Sequence, residues 1–564
     1  MFLSIAAALL VACGPANSAQ TAPVAVTSQT GMVSAADPRA AEAGAEMLRA
    51  GGTAVDAAIA TLLALNVVEP QSSGIGGGGY LVYAQRGGAP VTFDGRETAP
   101  AAAMPDWFLV DGQPMPFSEA QPGGKSVGVP GNLRMIALAH KEHGKLAWAK
   151  LFEPAVKLAR AGFKISPRLH NSLEKYRRTG ALSAEARALF YAPDGSALPV
   201  GTLVRNTAFA DFLERIAKQG ADSFYVGPNA QSIVNAVDGA QHNPSKMIAG
   251  DLSTYDAKQQ PPLCGEYRAY RICGMGPSSS GGITVFAALK QLERFDLSGL
   301  GQRSPTAWHL IAESERLAYA DRDKYVGDSE FVSVPIAGMA DPAYLAGRSK
   351  LISADTAMAH AEAGTPSGAP ALCPQAMQPE RGTSHFVVVD QWGNVVSETS
   401  TIESSFGSGL MVNGYYLNNE LTDFSFGPDE NGCPVANRVE GGKRPRSSMS
   451  PTIVYGPDGK VRLAVGAAGG STIPAQVVKA IIGVIDFHLG AQQALALPMI
   501  YAPGDTLYVE SGTFLEAMAP QLQAMGHTVA FLPPSTFKAN AIEQVEGRWF
   551  GAADPRSEGA AVAQ

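Results

Sequence analysis

The stretch RGTSHFVVVDQWGNVVSETST, residues 381–401, contains two apolar, β-branched runs separated by the turn-like DQWGN. This pattern predicts a β-hairpin. If Trp392 is the centre of this hairpin, Thr383 and Thr401 are each nine residues from Trp392 and should lie directly opposite each other. Such cross-strand pairs have Cβ atoms about 4.5–5.5 Å apart, so two hydroxyls can hydrogen-bond. Threonine pairs also occur in purely structural sheets, so the spacing alone does not establish a function.

A threonine hydroxyl is a weak nucleophile that a free α-amino group on the same residue can activate. The reference pKa of such an amine is about 7.7–8.0, so a useful fraction is neutral near physiological pH. Thr383 acquires this amine only if the Gly382–Thr383 peptide bond is cut. A small residue at 382 leaves room for the hydroxyl to reach the preceding carbonyl. The hairpin therefore suggests a cleavage site between Gly382 and Thr383.

Composition indicates a globular protein that acts on small molecules. The chain has 564 residues, 46% hydrophobic and 17% charged, with a formal net charge of −8. Because the charges of both signs are interspersed, no basic surface for a nucleic-acid partner is expected. The nine histidines form no ligand pattern, so neither a metal nor another cofactor is predicted.

The N-terminus predicts export to a bacterial periplasm. MFLSIAAALLVAC, residues 1–13, is apolar, too short to span a bilayer and as long as the core of a signal peptide. Its last four residues resemble a lipoprotein box, in which Cys13 would carry a lipid anchor. Ordinary cleavage after ANSA and a disordered tail are the alternatives. Residues 1–30 are therefore interpreted as a leader and tail, and a lipid at Cys13 would be the only membrane contact.

Export permits disulfides. Cys264 and Cys273 flank GEYRAYRI, an aromatic and β-branched stretch that could bring them together across adjacent strands. Cys373 and Cys433 could pair with each other, or both could be buried free thiols.

The order of patterns predicts an α/β protein with layered sheets. Asp37 and Pro38 begin a helix, and Thr53 begins a second one that is apolar nearly all round. Helical patterns dominate residues 130–240, strands recur around 262–290, and AWHLIAESERLAYADRDKY is helical. Residues 355–382 have the composition of a linker. Further strands (384–390, 395–401, 414–418, 451–456, 461–466) and helices (475–488, 512–525) follow.

Many ordered motifs resemble the γ-glutamyltransferases, members of the N-terminal nucleophile hydrolase group. They include LRAGGTAVDAAIATLLALNVVEP, SGIGGGGY, FDGRETAP, PSSSGGI, GTSHFVVVD, LNNELTDFS, KRPRSSMSPTIV, GAAGGSTI and GAADPRS. The resemblance runs from about residue 30 to 560. It implies an αββα sandwich of two stacked, mainly antiparallel sheets between helices. It also implies a precursor that cleaves itself into a heavy subunit, 31–382, and a light catalytic subunit, 383–564, which together form one unit.

The resemblance also implies a role for each site residue. Thr383 is the nucleophile, Thr401 hydrogen-bonds it, and Gly469 and Gly470 form the oxyanion hole. The positions implied for the substrate are Arg96, Ser447 and Ser448 for an α-carboxylate, and Glu403, Glu420 and Asp423 for an α-amino group. His385, beside the nucleophile, is interpreted as a structural contact rather than a base.

The implied reaction passes the γ-glutamyl group of glutathione or a related compound to water, an amino acid or a peptide through a threonine ester. Some relatives are glutaryl-type cephalosporin acylases, whose acyl group has no α-amine. Three carboxylates in one pocket repel each other unless a cation lies among them, which favours an ammonium-bearing substrate. A non-catalytic lipoprotein that binds γ-glutamyl peptides is the remaining alternative. The stretch between Asp423 and Ser447 looks somewhat shorter than in the lid-bearing members of the family. The sequence therefore does not decide whether a lid covers the donor pocket.

Overall fold

Two seven-stranded antiparallel sheets form the centre of the molecule. The computed structural model describes residues 26–375 and 382–564. Cys13 and residues 1–25 of the predicted leader and tail lie outside the described residues, so export stays a prediction. The predicted boundary at residue 30 is too late, because Val26–Ser28 already form a strand paired with Arg548–Ala553. Among the described helices, none is long and apolar enough to cross a membrane.

The hairpin sheet contains the predicted hairpin, and the glycine sheet contains the strand that leads into Gly469 and Gly470. In spatial order the hairpin sheet comprises Ala560–Ala563, Met32–Ala35, Ser384–Val389, Val395–Thr401, Gly78–Ala84, Val91–Asp94 and Lys258–Gln260. The glycine sheet comprises Val26–Ser28, Arg548–Ala553, Lys538–Val545, Val461–Ala468, Thr452–Tyr455, Tyr270–Gly274 and Leu263–Tyr267. The smaller sheets comprise Leu109–Val110 with Gln113–Pro114, Phe163–Lys164 with Leu203–Val204, Met411–Val412 with Tyr415–Tyr416, Asp429–Glu430 with Cys433–Pro434, and Ile500–Tyr501, Thr506–Glu510 and Thr528–Leu532.

Helices cover the outer faces of both sheets. The α-helices before residue 260 are Pro38–Arg49, Ala54–Val68, Phe117–Ala120, Asn132–His143, Glu153–Ala161, Pro167–Lys175, Arg177–Gly180, Ala184–Phe190, Thr207–Gln219, Asp222–Tyr225, Pro228–Asp238 and Ala249–Ser253. Those after it are Gly281–Leu292, Leu297–Leu300, Pro305–Tyr325, Ile336–Met339, Pro342–Ser349, Ile473–Ile485, Ala491–Ala496 and Phe514–Ala524. Short 3₁₀ helices span Trp148–Phe152, Glu420–Asp423, Gly470–Thr472 and Pro534–Thr536.

Three apolar layers hold the four structural layers together. The first packs helices such as Ala54–Val68 against the outer face of the hairpin sheet, including Phe386 and Val388. The second packs helices such as Ile473–Ile485 against the outer face of the glycine sheet. The third lies between the sheets and includes Val387 and Ile542. The architecture confirms the predicted αββα sandwich.

The hairpin has the predicted register. Ser384 pairs with Ser400 and Val389 with Val395, so one further step in the same register sets Thr383 opposite Thr401. Side chains alternate across a strand. Val387 faces the other sheet and Phe386 faces the helices, which places Thr383 on the inner face.

The predicted helix starts are confirmed. The Asp37 side chain accepts a hydrogen bond from the Arg39 backbone, with Pro38 in the first turn. Thr53 forms a reciprocal capping box with Asp56, and every residue of the following helix is buried. Residues 355–375, the described part of the predicted linker, contain no helix or ladder strand.

The prediction that strands recur around 262–290 is wrong for the second half of that range. The strands end at Gly274, and Gly281–Leu292 is a helix. Eleven of its twelve residues are buried. A segment that is apolar on all sides has no periodicity that distinguishes a buried helix from a buried strand.

Two disulfides occur in the described residues. One joins Cys264 to Cys273, which are paired positions on neighbouring strands. The other joins Cys373 to Cys433, and the Cys373 backbone also donates a hydrogen bond to the Pro434 carbonyl at 3.1 Å. The second bridge therefore links the segment before the predicted cleavage site to a short β-hairpin that follows it.

Asp390 should be a main determinant of hairpin stability. Its buried carboxylate accepts hydrogen bonds from the Trp392 and Asn394 backbones and from the backbone of Ala54, at 2.9–3.0 Å. We expect Asp390→Ala to lower the free energy of unfolding by about 2–4 kcal/mol, because several donors lose a charged acceptor in the interior. Urea denaturation measures this change. Asp458→Ala removes an aspartate from an exposed turn and should have little effect, and equal losses in the two variants would contradict the assignment.

Candidate active site

Two threonine hydroxyls converge on the carbonyl of Gly382. The Thr401 hydroxyl donates to the Gly382 oxygen at 2.7 Å, and the Thr383 hydroxyl donates to the same oxygen. The two hydroxyl oxygens are 3.5 Å apart. Thr383 and Thr401 are 5% and 2% exposed. The Gly382 carbonyl oxygen therefore accepts hydrogen bonds from both hydroxyls. The Thr401 hydroxyl polarises the carbonyl, and the Thr383 hydroxyl lies directly beside it.

Residue 382 has to be glycine in this geometry. A Cβ there would lie 2.1 Å from the backbone oxygen of Glu403, a distance that no carbon can adopt. The backbone N–H of Glu403 in turn donates to the Thr401 hydroxyl at 2.7 Å. This bond orients Thr401 so that its own proton points at Gly382.

Gly469 and Gly470 lie at the Thr383 end of the sandwich. The His385 ring packs against Gly466, where a Cβ would lie 2.3 Å from a ring carbon. From Gly466 the strand continues to Ala468 in the direction in which the hairpin runs from His385 to Thr383. Gly469 and Gly470 have φ values of 129° and 59°, which favour glycine and turn the chain into the short helix Gly470–Thr472.

His385 does not have the character of a general base. Its Nδ1 lies 2.8 Å from the Thr399 hydroxyl, and the ring is buried between the sheets. Burial lowers the pKa of His385 to about 3. The ring is therefore neutral at physiological pH and fills space between Thr399 and Gly466.

Three carboxylates and one guanidinium form a buried cluster. Ligand oxygens of Glu403, Glu420 and Asp423 all lie within 4.8 Å of one another. Arg96, 1% exposed, forms ion pairs with both Glu420 and Asp423. Burial alone would lower the pKa of Arg96, but the charges of Glu420 and Asp423 raise it well above its usual value.

The sequence-based prediction assigned Arg96 and the three acids to different ends of the substrate, whereas in the structure Arg96 contacts two of those acids, Glu420 and Asp423, directly. The Arg96 Nε donates to the Pro445 carbonyl at 3.1 Å, and one Nη donates to the Arg446 carbonyl at 3.0 Å. Two carbonyls and two carboxylates thus fix the orientation of the guanidinium. The direct contact could not be predicted from local sequence patterns, because Arg96 and Glu420 are 324 residues apart in the chain.

The two predicted serines lie beside this cluster on a stretch held by the PSSSGGI motif. The Ser447 backbone donates to the Ser278 carbonyl at 3.1 Å and the Ser280 backbone to the Ser447 carbonyl at 2.8 Å. The Ser448 hydroxyl accepts from a guanidinium nitrogen of Arg322. Arg322, which sequence reasoning did not select, also donates to the Ser280 hydroxyl at 2.9 Å.

Glu97 is a second residue that sequence reasoning missed. It follows Arg96 directly, is completely buried, and has a carboxylate oxygen 4.0 Å from the Arg96 guanidinium. Burial, and next the negative charge of Glu420, raise the pKa of Glu97 well above its usual value. Its position beside Arg96 in FDGRETAP was the available signal.

Two antiparallel sheets between helical layers, with a threonine directly preceding a central strand, define the fold of the N-terminal nucleophile hydrolases. Residues 40–564 match the model of the γ-glutamyltranspeptidase family, and the chain belongs to that family.

Relatives agree with this assignment over nearly the whole chain. The chain is 39% identical to a glutathione hydrolase proenzyme of Bacillus subtilis (strain 168), covering 94% of this chain and 91% of the relative. It is 34% identical to the protein of the same description from Escherichia coli (strain K12), covering 98% and 97%. Among solved structures, a cephalosporin acylase from Bacillus halodurans superposes with a TM-score of 0.87 at 27% identity, covering 98% of this chain and 99% of that one.

A pH-dependent stability difference should reveal that Glu97 is protonated in the folded protein. The unfolded residue ionises near pH 4.3, whereas the folded residue, with its raised pKa, stays neutral at higher pH. Folding therefore takes up a proton, and wild-type stability should fall relative to Glu97→Gln as pH rises above about 4.3. Thermal unfolding of both proteins between pH 4 and 8 measures this divergence. Glu46→Gln, on an exposed helix face, is the control, and a pH-independent difference for Glu97→Gln would contradict the assignment.

Proposed function

We propose that this protein is a self-processing γ-glutamyltransferase and glutathione hydrolase with Thr383 as its nucleophile. The observation that carries the proposal is the convergence of the Thr383 and Thr401 hydroxyls on the Gly382 carbonyl. Two relatives at 34–39% identity are described as glutathione hydrolase proenzymes, which supports the same substrate class and a processed precursor.

Self-cleavage follows from the contacts at Gly382. The Thr383 oxygen attacks the Gly382 carbonyl carbon, and the hydrogen bond from Thr401 stabilises the negative charge that develops on the carbonyl oxygen. The C–N bond breaks, the threonine nitrogen takes up the hydroxyl proton, and Gly382 is left as an ester on Thr383. Water hydrolyses this ester. The products are a heavy subunit that ends at Gly382 and a light subunit, 383–564, with a free amine on Thr383.

In turnover the new amine accepts the Thr383 hydroxyl proton as the oxygen attacks the γ-carbonyl of the donor. The backbone N–H groups of Gly469 and Gly470 would stabilise the oxyanion. Both glycines lie at the Thr383 end of the sandwich, where their positive φ values turn the backbone. The protonated Thr383 amine then donates this proton to the nitrogen of the leaving group as the C–N bond breaks, which releases the amine of the donor and leaves a γ-glutamyl ester on Thr383. Water converts the ester to glutamate, and an amino acid or peptide converts it to a new γ-glutamyl amide.

The charged cluster would recognise the glutamyl end of the donor by exchanging partners. A bound α-carboxylate would take Arg96 and the hydroxyls of Ser447 and Ser448, and the α-ammonium would lie among Glu403, Glu420 and Asp423. Because Glu420 and Asp423 already contact Arg96, a substrate that carries both charges replaces each ion pair that it breaks. A ligand that carries only the carboxylate gives Arg96 a new partner but leaves the acids without a cation.

The leading alternative is a glutaryl-type acylase, favoured by the structural similarity to a cephalosporin acylase. A glutaryl group has no α-amine and would place a methylene among the three acids. A non-catalytic γ-glutamyl-binding protein is the other alternative, and the intact arrangement of Thr383, Thr401 and Gly382 argues against it.

Matched chromogenic amides distinguish these alternatives. We expect kcat/KM for a γ-glutamyl anilide to exceed that for the glutaryl anilide by about 100-fold or more, because leaving buried charges without their partner costs about 3 kcal/mol or more. Glu403→Gln should narrow the ratio by weakening the ammonium site. A glutaryl anilide that is cleaved as well as or better than the γ-glutamyl one would overturn the assignment of substrate class.

The role of Thr383 can be tested without substrate. Purified wild-type protein should run as two fragments on a reducing denaturing gel, with the smaller one beginning at Thr383. Thr383→Ala should remain one full-length chain because its side chain cannot attack Gly382. Thr27→Ala, on an exposed edge strand, should cleave normally. Cleavage of the Thr383→Ala protein at the same bond would rule out Thr383 as the nucleophile of processing.

The Cys373–Cys433 disulfide should keep the two fragments covalently joined. Cys373 precedes the cleavage site and Cys433 follows it, so non-reducing gels of cleaved wild-type protein should show one band and reducing gels two. Cys433→Ser should show two bands under both conditions. Two bands from the wild type without reductant would contradict this bridge in the mature protein.

A further inference from the structure

A buried lysine lies behind the predicted nucleophile. Lys538 Nζ is 2.9 and 3.2 Å from the carboxylate oxygens of Glu69 and 3.3 Å from the hydroxyl of Ser384. The Ser384 hydroxyl donates to the same carboxylate at 2.6 Å. All three residues are at most 2% exposed. Ser384 directly follows Thr383, so this ion pair holds the first peptide unit after the cleavage site.

The backbone of Lys538 is attached to the predicted oxyanion hole. Lys538 pairs with Ala468, the residue before Gly469. Gln476 extends this attachment, because its amide nitrogen donates to the Ala468 carbonyl at 2.8 Å and its oxygen accepts from the Lys538 backbone at 3.3 Å. One residue therefore contacts the nucleophile segment with its side chain and the oxyanion segment with its main chain.

This arrangement crosses three parts of the fold. Glu69 ends the buried helix Ala54–Val68, Ser384 begins an inner strand of the hairpin sheet, and Lys538 begins a strand of the glycine sheet. Apolar side chains and neutral hydrogen bonds, such as that from the Ser34 hydroxyl to the Ala552 carbonyl at 2.7 Å, also join the two sheets, and the apolar contacts among them are non-directional. A buried ion pair is often no more stabilising than an apolar substitute of the same size. Stability alone therefore does not account for it.

We propose that Lys538 and Glu69 are positioning residues that align Thr383 with the N–H groups of Gly469 and Gly470. The proposal rests on the assignment of Thr383 as nucleophile and of the two glycines as oxyanion hole. It does not involve donor recognition, because the contacts of Arg96 are with other residues. Loss of the pair should therefore slow the chemical steps and leave donor binding nearly unchanged.

Three variants test this role: Lys538→Met, Glu69→Gln and the double variant. Each single change leaves one buried charge without its partner, so both should lower the melting temperature. The double variant removes both charges and should recover much of that loss. We expect kcat for a γ-glutamyl anilide to fall by about 10- to 100-fold in all three, because a displacement of about 1 Å can cost 100-fold. KM should change by less than about threefold, which corresponds to less than 1 kcal/mol.

Lys479→Met is the matched control. Lys479 is another buried lysine, but its Nζ donates to the carbonyls of Leu495 and Leu497, both at 2.8 Å, in the helical layer over the glycine sheet. Its loss should lower the melting temperature and leave kcat unchanged. In every variant kcat is expressed per cleaved light subunit, so that slow self-cleavage is not counted as slow turnover.

The outcomes separate the two assignments. A double variant that regains both wild-type stability and wild-type kcat would overturn the positioning role, and so would a rise in KM with kcat unchanged. A stable double variant with a low kcat and a normal KM supports it. Failure of the wild-type protein to hydrolyse γ-glutamyl anilides would instead refute the proposed function itself.

Discussion

The register between the strands Ser384–Val389 and Val395–Thr401 determines the geometry around the Gly382 carbonyl. It places Thr383 and Thr401 opposite each other on the inner face and directs Ser384 to the outer face, towards Glu69. A slip by one residue would exchange these faces. The nucleophile would then point into the helical layer, and the Gly382 carbonyl would lose its bond to Thr401.

Both predicted subunits contribute to one site. The heavy subunit supplies Arg96, which contacts the light-subunit acids Glu420 and Asp423, and Glu69, which pairs with Lys538. These contacts are buried charge pairs, and leaving one charge of such a pair without its partner costs free energy. The charges therefore explain why cleavage at Gly382 need not separate the two fragments, in addition to the Cys373–Cys433 bridge.

Local features could be predicted from the sequence, and long-range charge contacts could not. The symmetry around Trp392 indicated the hairpin register, and Asp37 and Thr53 indicated helix starts. The helix Gly281–Leu292 was mistaken for strand because its residues are apolar on all sides. Lys538 and Glu69 are separated by 469 residues, and no periodic pattern indicates that two such side chains will meet. The family resemblance selected Arg96 and the three acids, but only the structure shows that Arg96 contacts Glu420 and Asp423 directly.

We propose that Thr383 becomes both the N-terminus of the light subunit and the residue that carries the acyl group. Rapid acid quenching of the enzyme during turnover of a γ-glutamyl donor, followed by peptide mass spectrometry, tests this claim directly. We expect a γ-glutamyl adduct on a peptide that begins at Thr383, with the γ-glutamyl group attached to the side chain of that residue. An adduct on another residue, or a light subunit with a different N-terminus, would contradict it.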